Sequence, residues 1–163
     1  MLKSCSFTGH RHIKEEHLRE IYPLVMRAIT YVYERGCRDF FAGGAVGFDT
    51  IAARQVILFR MTHPDVRLHL LLPCRNQDER WSKSDRDSYN FTLASADTVE
   101  YLFDVYTDDC MRVRNMALAQ RGDALVAYVC RNNSGAAQTV RMAKRLEREV
   151  YNLYPKLEEE TNR

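Results

Sequence analysis

The sequence predicts an α/β protein: a single Rossmann-like three-layer domain with a mainly parallel sheet. Three observations predict it. Short apolar runs alternate with stretches of helical periodicity along the whole chain. The runs are apolar on both faces, as strands covered by helices on either side must be. No repeat and no interdomain linker interrupts the alternation, and 163 residues suit one hydrophobic core. The expected domain spans residues 1–154, with 155–163 a charged C-terminal tail.

Lys3 to Thr8 reads as the first strand, followed at once by Thr8-Gly9-His10-Arg11. From about Lys14 to Arg35, Leu18, Ile21, Tyr22, Val25, Met26, Ile29 and Tyr33 recur at helical spacing and predict a long helix with one face on the sheet. Pro23 either kinks that helix or marks its true first turn, and Gly36 stops it. Asp39 to Ala42 is a short second strand, and a helix runs from Phe48 to about Met61, ended by His63-Pro64. Val66 to Leu72 is the third strand. A polar segment, Cys74 to Asp87, turns helical toward Ala96, and Thr98 to Phe103 is the fourth strand. Cys110 to Gln120 is a short helix ended by Gly122, and Asp123 to Cys130 is a strongly apolar fifth strand. Ala136 to Val150 is expected as the last helix, Tyr151 to Tyr154 as an edge strand, and the chain from Pro155 as a frayed tail.

The second strand breaks at Gly43-Gly44 and re-enters a helix after Ala45-Val46-Gly47. A strand that turns through paired glycines into a helix start presents unpaired N–H groups and the positive end of a helix dipole, which suits phosphate. Asp49, in the first helical turn, can cap the helix or reach a ribose hydroxyl. An ordinary tight turn capped by Asp49 is the plainer reading. In a sheet of this kind ligands bind beyond the carboxyl ends of the strands where strand order reverses. That directs attention to the loops at Thr8–Arg11, Gly43–Asp49, Pro73–Trp81 and Arg131–Thr139.

Composition narrows the function classes. A net charge of +2 and a pI near 8.3 are too mild to imply nucleic acid by themselves. The five cysteines are an odd, scattered set without a CxxC, which points to reduced thiols in a cytoplasm. Cys5, Cys74 and Cys130 lie in or beside strands, where a free cysteine is usually a small core residue. No histidine pair has metal-binding spacing, so no metal is expected. No segment has the length and apolarity of a membrane span, so no membrane partner is expected. The absence of a GxGxxG after the first strand argues against dinucleotide-dependent hydride transfer.

Thr8-Gly9-His10-Arg11, Gly43 to Asp49, Gln77 to Trp81, Arg114-Asn115 and Ser134-Gly135, in this order, resemble the YpsA-like branch of the SLOG superfamily. That superfamily also contains the DNA-processing DprA/Smf proteins and the LOG phosphoribohydrolases. The resemblance spans about Cys5 to Val150 and implies a Rossmann-like domain that binds a nucleotide or nucleotide-derived ligand. On it, Gly43, Gly44, Ala45 and Gly47 form the phosphate-binding turn and Asp49 is the family's acid. Arg11 is the cation after the first strand, and Ser134, Gly135 and Thr139 stand at the second glycine-rich loop. That loop lacks the double glycine and following glutamate of the LOG enzymes, which puts phosphoribohydrolase chemistry in doubt and leaves binding intact.

Each residue also has a plainer role open to it. Arg11 can pair with an acid such as Glu15, and His10 can satisfy a backbone carbonyl rather than a phosphate. Trp81 can stack on a base, with Gln77 reading its edge, or pack on the core. Arg114 and Asn115 can contact phosphate or ribose or simply end a helix in solvent. Arg141, Lys144, Arg145 and Arg148 share a helical face, a feature that is usually solvated but can track a nucleic-acid backbone. The leading expectation is a cytoplasmic protein that binds or senses an ADP-ribose- or NAD-like ligand, with no required cofactor and with homo-oligomerisation open. The alternatives are a hydrolase of an N-glycosidic bond, with Asp49 as its candidate catalytic residue, and a DprA-like binder of single-stranded DNA.

Overall fold

The computed structural model describes Met1 to Asn162; Arg163, the last residue of the expected tail, lies outside the described residues. The elements run β1 (Ser4–Gly9), a single 3-10 turn (Glu15–His17), α1 (Leu18–Glu34), β2 (Asp39–Ala42), α2 (Phe48–Arg60), β3 (Arg67–Cys74) and α3 (Lys83–Ser95). They continue with β4 (Thr98–Phe103), α4 (Cys110–Arg121), β5 (Ala124–Tyr128), α5 (Gly135–Arg145), β6 (Glu149–Asn152) and α6 (Tyr154–Thr161). The six strands form one sheet in the order β4-β3-β2-β1-β5-β6, and each pairing is parallel. This is the Rossmann-like α/β domain that the alternation predicts.

Alternation along β1 separates the two layers. Cys5 and Phe7 point into a large apolar core with Ile21, Val25 and Ile29 of α1 and Phe48, Ala52 and Val56 of α2. Ser6 and Thr8 face the other way, toward α4 and α5. There the apolar layer is thin, centred on Ala119, Leu125 and Ala143. Polar ties supplement it: Ser6 Oγ donates to Leu118 O at 2.7 Å, and Arg148 Nη2 donates to Gln120 O at 2.8 Å.

Several expectations need correction. Of the two places open to Pro23, it takes the one inside α1, not the one at its first turn. The last long helix ends at Arg145, not Val150, because Glu147 adopts a left-handed φ of 59° and the Arg148 N–H closes the end on Ala143 O. The chain then has room for β6, whose Val150 pairs with Leu125. The described part of the tail is not frayed: Pro155 occupies the first turn of α6, where a missing N–H costs nothing, and Leu157 is fully buried. Cys5 and Cys74 are buried as expected, but Cys130 lies beyond β5 and is exposed. The shared basic face is broken, since Arg148 lies beyond α5 and Arg141 is tied to Asn132 O at 2.7 Å.

Among the described residues no helix is long and apolar enough to cross a membrane.

Candidate functional site

The sequence jumps across the sheet between β4 and β5, so the crevice at the switch point opens beyond the carboxyl ends of β1 and β5. A cleft of about 430 Å³ lies there. Thr8, Gly9, His10 and Arg11 line it from the β1 side, Ala45 and Asp49 from the turn after β2 and the start of α2. Arg114 and Asn115 of α4, with Ser134 and Gly135 at the start of α5, complete it. A second cleft of about 640 Å³ is lined by Gln77 and Trp81, together with Asn76, Glu79, Arg80 and Tyr106. Arg11 and Met111 line both.

Four expected residues lie elsewhere. Gly43, Gly44 and Gly47 line neither cleft; the space beside each is filled by protein. At Gly44, with φ of 71°, a Cβ would meet Leu72 Cδ2 at 2.3 Å; at Gly47, with φ of 91°, it would meet the Arg11 carbonyl oxygen at 2.1 Å. These two glycines let the turn pass under β3 and against the β1 loop. A Cβ at Gly43 would lie 2.7 Å from Arg114 Nη1 and 3.0 Å from Asp49 Oδ2, so this glycine leaves room for both charged groups. Thr139 is fully buried in α5, its hydroxyl donating to Gly135 O at 3.0 Å.

Asp49 does not cap α2. It reaches back to accept the Ala45 N–H at 3.2 Å, while the Phe48 N–H donates to His10 O at 3.2 Å. Two amides of the glycine turn are therefore already occupied by the protein. At the start of α5, Ser134 Oγ accepts the Ala137 N–H at 3.1 Å, and the Gly135 and Ala136 N–H groups have no hydrogen-bond partner among the described residues. Both residues line the cleft, so the start of α5 offers it an open anion-binding helix end.

Burial dominates the electrostatics. Asp49 is 5% exposed, and burial pushes its carboxyl up to about 6, with Arg114, the Ala45 N–H and Arg11 pulling against that rise. Burial likewise pushes the Arg114 guanidinium below its ordinary value, against the attraction of Asp49. Arg114 donates to Gly43 O and, at 2.9 Å, to Asn115 Oδ1, and Asn115 Nδ2 donates to Gly135 O at 3.4 Å. No ion pair closes between Asp49 and Arg114 among the described residues. His10 accepts the Cys130 N–H at Nε2 (2.9 Å), which leaves the ring proton on Nδ1. Burial first, and then Arg131, holds this imidazole below its ordinary pKa.

Arg11 is exposed and forms no ion pair among the described residues, so the expected alternative of a pair with Glu15 is not adopted. Gln77 Nε2 donates to Tyr89 Oη at 3.0 Å and to Gly44 O at 3.4 Å, tying the loop after β3 to the glycine turn. Trp81 lines the second cleft while packing edge-on against Tyr89 at 5.1 Å, so it serves the core and the cleft together.

His12 and Met111, which sequence reasoning passed over, also line the first cleft, as do Arg131 and Ala136, which lie in the expected Arg131–Thr139 loop but were not singled out within it. Arg131 carried a usable signal, being a cation just past the fifth strand at the switch point.

The YpsA family model, described as the YspA SLOG family, matches residues 7–155. The chain belongs to this family. A UPF0398 protein of Halalkalibacterium halodurans is 27% identical over 148 residues, covering 83% of this chain and 76% of that one. A UPF0398 protein of Bacillus thuringiensis is 25% identical over 162 residues, covering 94% and 88%. Two solved DNA processing protein A structures share the fold at a TM-score of 0.63 and 14% identity, one from Helicobacter pylori and one from Streptococcus pneumoniae. The similarity covers 91% of this chain but only 63% and 49% of those two. The Helicobacter pylori structure is described for its single-stranded DNA binding mode.

Proposed function

We propose that the switch-point cleft binds a nucleotide-derived small molecule of the ADP-ribose or NAD type, in a binding or sensing role. The observation that carries this reading is the pairing of an open α5 N-terminus with a buried, incompletely compensated Asp49 in one cleft. A phosphate seats on the Gly135 and Ala136 N–H groups, neutralised by Arg131 and Arg11. Asp49, when ionised, accepts hydrogen bonds from the ribose hydroxyls. The base extends past Arg11 into the second cleft, against Trp81. No metal or other cofactor is part of the reading, and the site is one for a soluble ligand in a cytoplasmic protein.

A hydrolase of an N-glycosidic bond is the second reading, favoured by one observation: a buried carboxyl held near 6 suits proton transfer at neutral pH. It ranks lower because, among the described residues, Asp49 is the single carboxylate lining the first cleft, and Glu79 lines the second. Single-stranded DNA is the third reading, prompted by the fold shared with the DNA processing proteins.

The test is a thermal-shift panel with AMP, ADP, ATP, NAD, ADP-ribose and short single-stranded DNA, repeated on Arg11→Ala and Asp49→Asn proteins. A ligand at about a hundred times its Kd adds roughly 2.7 kcal/mol, a shift of several degrees. The reading expects such a shift with ADP-ribose or NAD, reduced in both variants. No shift with any nucleotide contradicts it, consumption of the ligand promotes the hydrolase, and a shift with DNA alone promotes the third reading.

A further inference from the structure

The loop from His10 to His17 carries Arg11, the cation that both clefts share, and it is fastened at two ends. The near end is held by the sheet: the His10 N–H donates to Tyr128 O at 3.1 Å, and the His10 ring takes the Cys130 N–H. The far end is held largely by α6. Tyr128 Oη accepts the Lys14 N–H at 3.1 Å and lies 2.8 Å from His17 Nδ1, so the hydroxyl proton goes to that nitrogen. The other ring nitrogen, Nε2, then carries its proton and lies 3.0 Å from Glu158 Oε1 without the alignment of a hydrogen bond. Lys14 Nζ sits 2.6 Å from the same oxygen. Leu157 is fully buried beside this network, and Tyr154 packs at 5.0 Å on both the His17 and the Tyr128 rings. Between the two fastenings, Arg11 and His12 stay exposed at the cleft.

We infer that α6 is a clasp for the cleft: Glu158 is a positioning residue that, through Lys14 and His17, holds the Arg11 loop where a ligand anion would meet it. One carboxylate oxygen faces both the Lys14 ammonium and His17 Nε2 on the loop, so an uncharged amide at the same place loses the charge attraction that holds Lys14. The buried stripe of α1 begins at Ile21, beyond His17, while Ile13 of the loop and Leu157 of α6 join the same apolar core. The consequence for ligand rests on the proposed reading of the cleft. The ordering of the loop does not.

The experiment is hydrogen exchange by mass spectrometry on the full chain, comparing wild type with Glu158→Gln and Lys14→Met. Glu160→Gln, which removes a pair with Arg27 elsewhere on α6, is the control. ADP-ribose binding is measured on the same preparations. Amides of residues 10–17 are expected to exchange roughly tenfold faster in both loop variants, with β2 and β3 at the wild-type rate and the control unchanged. ADP-ribose affinity should fall several-fold in the same two proteins. Unchanged exchange at residues 10–17, or acceleration spread equally through β2 and β3, overturns the clasp. A loosened loop with undiminished ADP-ribose affinity overturns the positioning role. If wild type does not bind ADP-ribose, the proposed ligand fails, while the exchange measurement still decides whether α6 orders the loop.

Discussion

Asp49 and Glu158 are both carboxylates set among cations, yet Asp49 is held well above the ordinary carboxylate range and Glu158 below it. The difference is in the order of causes. At Glu158 the hydrogen bond from Lys14 comes first and desolvation second; at Asp49 desolvation comes first, and the two arginines recover only part of it. Arg114 carries the same mark, depressed by burial despite its acidic neighbour. A folded chain gains nothing in stability from two buried charges that do not close on each other. The Glu158 cluster reads as structure satisfied from within, and the Asp49 cluster as structure awaiting something from outside.

The largest effect should come from removing one charge of the poorly compensated cluster. Arg114→Met leaves Asp49 buried without its main counter-charge and frees Gly43 O, and should cost about 3–5 kcal/mol in urea unfolding at pH 8. A loss under about 1 kcal/mol would place the two groups on a par with surface charges.

Asp49→Asn should act in the opposite direction. The folded value near 6 exceeds the ordinary 3.8, so the ionised carboxylate destabilises the fold above about pH 6 and not below about pH 4. Wild type should therefore gain stability from this group as pH falls through that window. The asparagine variant should be more stable than wild type by up to about 3 kcal/mol at pH 8, with the advantage gone near pH 4.

On the other side of the comparison, Leu157→Ala should cost about 2 kcal/mol, because α6 buries this side chain fully. Glu158→Gln should have the smallest effect on global stability, destabilising at pH 7 and less so in high salt. Its pKa is depressed, so its contribution is present above the ordinary 4.5 and is lost as pH falls through the folded value. The two carboxylates thus predict pH-dependent differences of opposite sign, readable from thermal midpoints of wild type and each variant between pH 8 and pH 4.

Much of the fold was legible because its signals are local. Buried strands such as Leu68–Leu72 are short apolar runs closed by proline, glycine or polar residues, and their alternation with helices implies the parallel sheet. The end of α5 was not legible because Glu147 takes the left-handed conformation that a glycine would have announced. The helix α6 was obscured by its charge density, although Tyr154-Pro155 followed by Leu157 is a serviceable helix start. In the site, the loops after β1, β2 and β5 were identifiable from topology and motif. What each residue does there was not: Gly44 and Gly47 serve packing, and Thr139 turns inward to cap a carbonyl. Such roles depend on tertiary neighbours, among them Leu72 and the Arg11 carbonyl, that sequence spacing does not encode.

The most direct measurement is a carbon-13 NMR titration of the Asp49 carboxyl, in the free protein and with ADP-ribose added. The account predicts a midpoint near 6 in the free protein, falling on addition of ADP-ribose as ribose hydroxyls donate to the carboxylate. A midpoint at or below about 4 in the free protein would contradict it, because Asp49 would then already be compensated from within the fold.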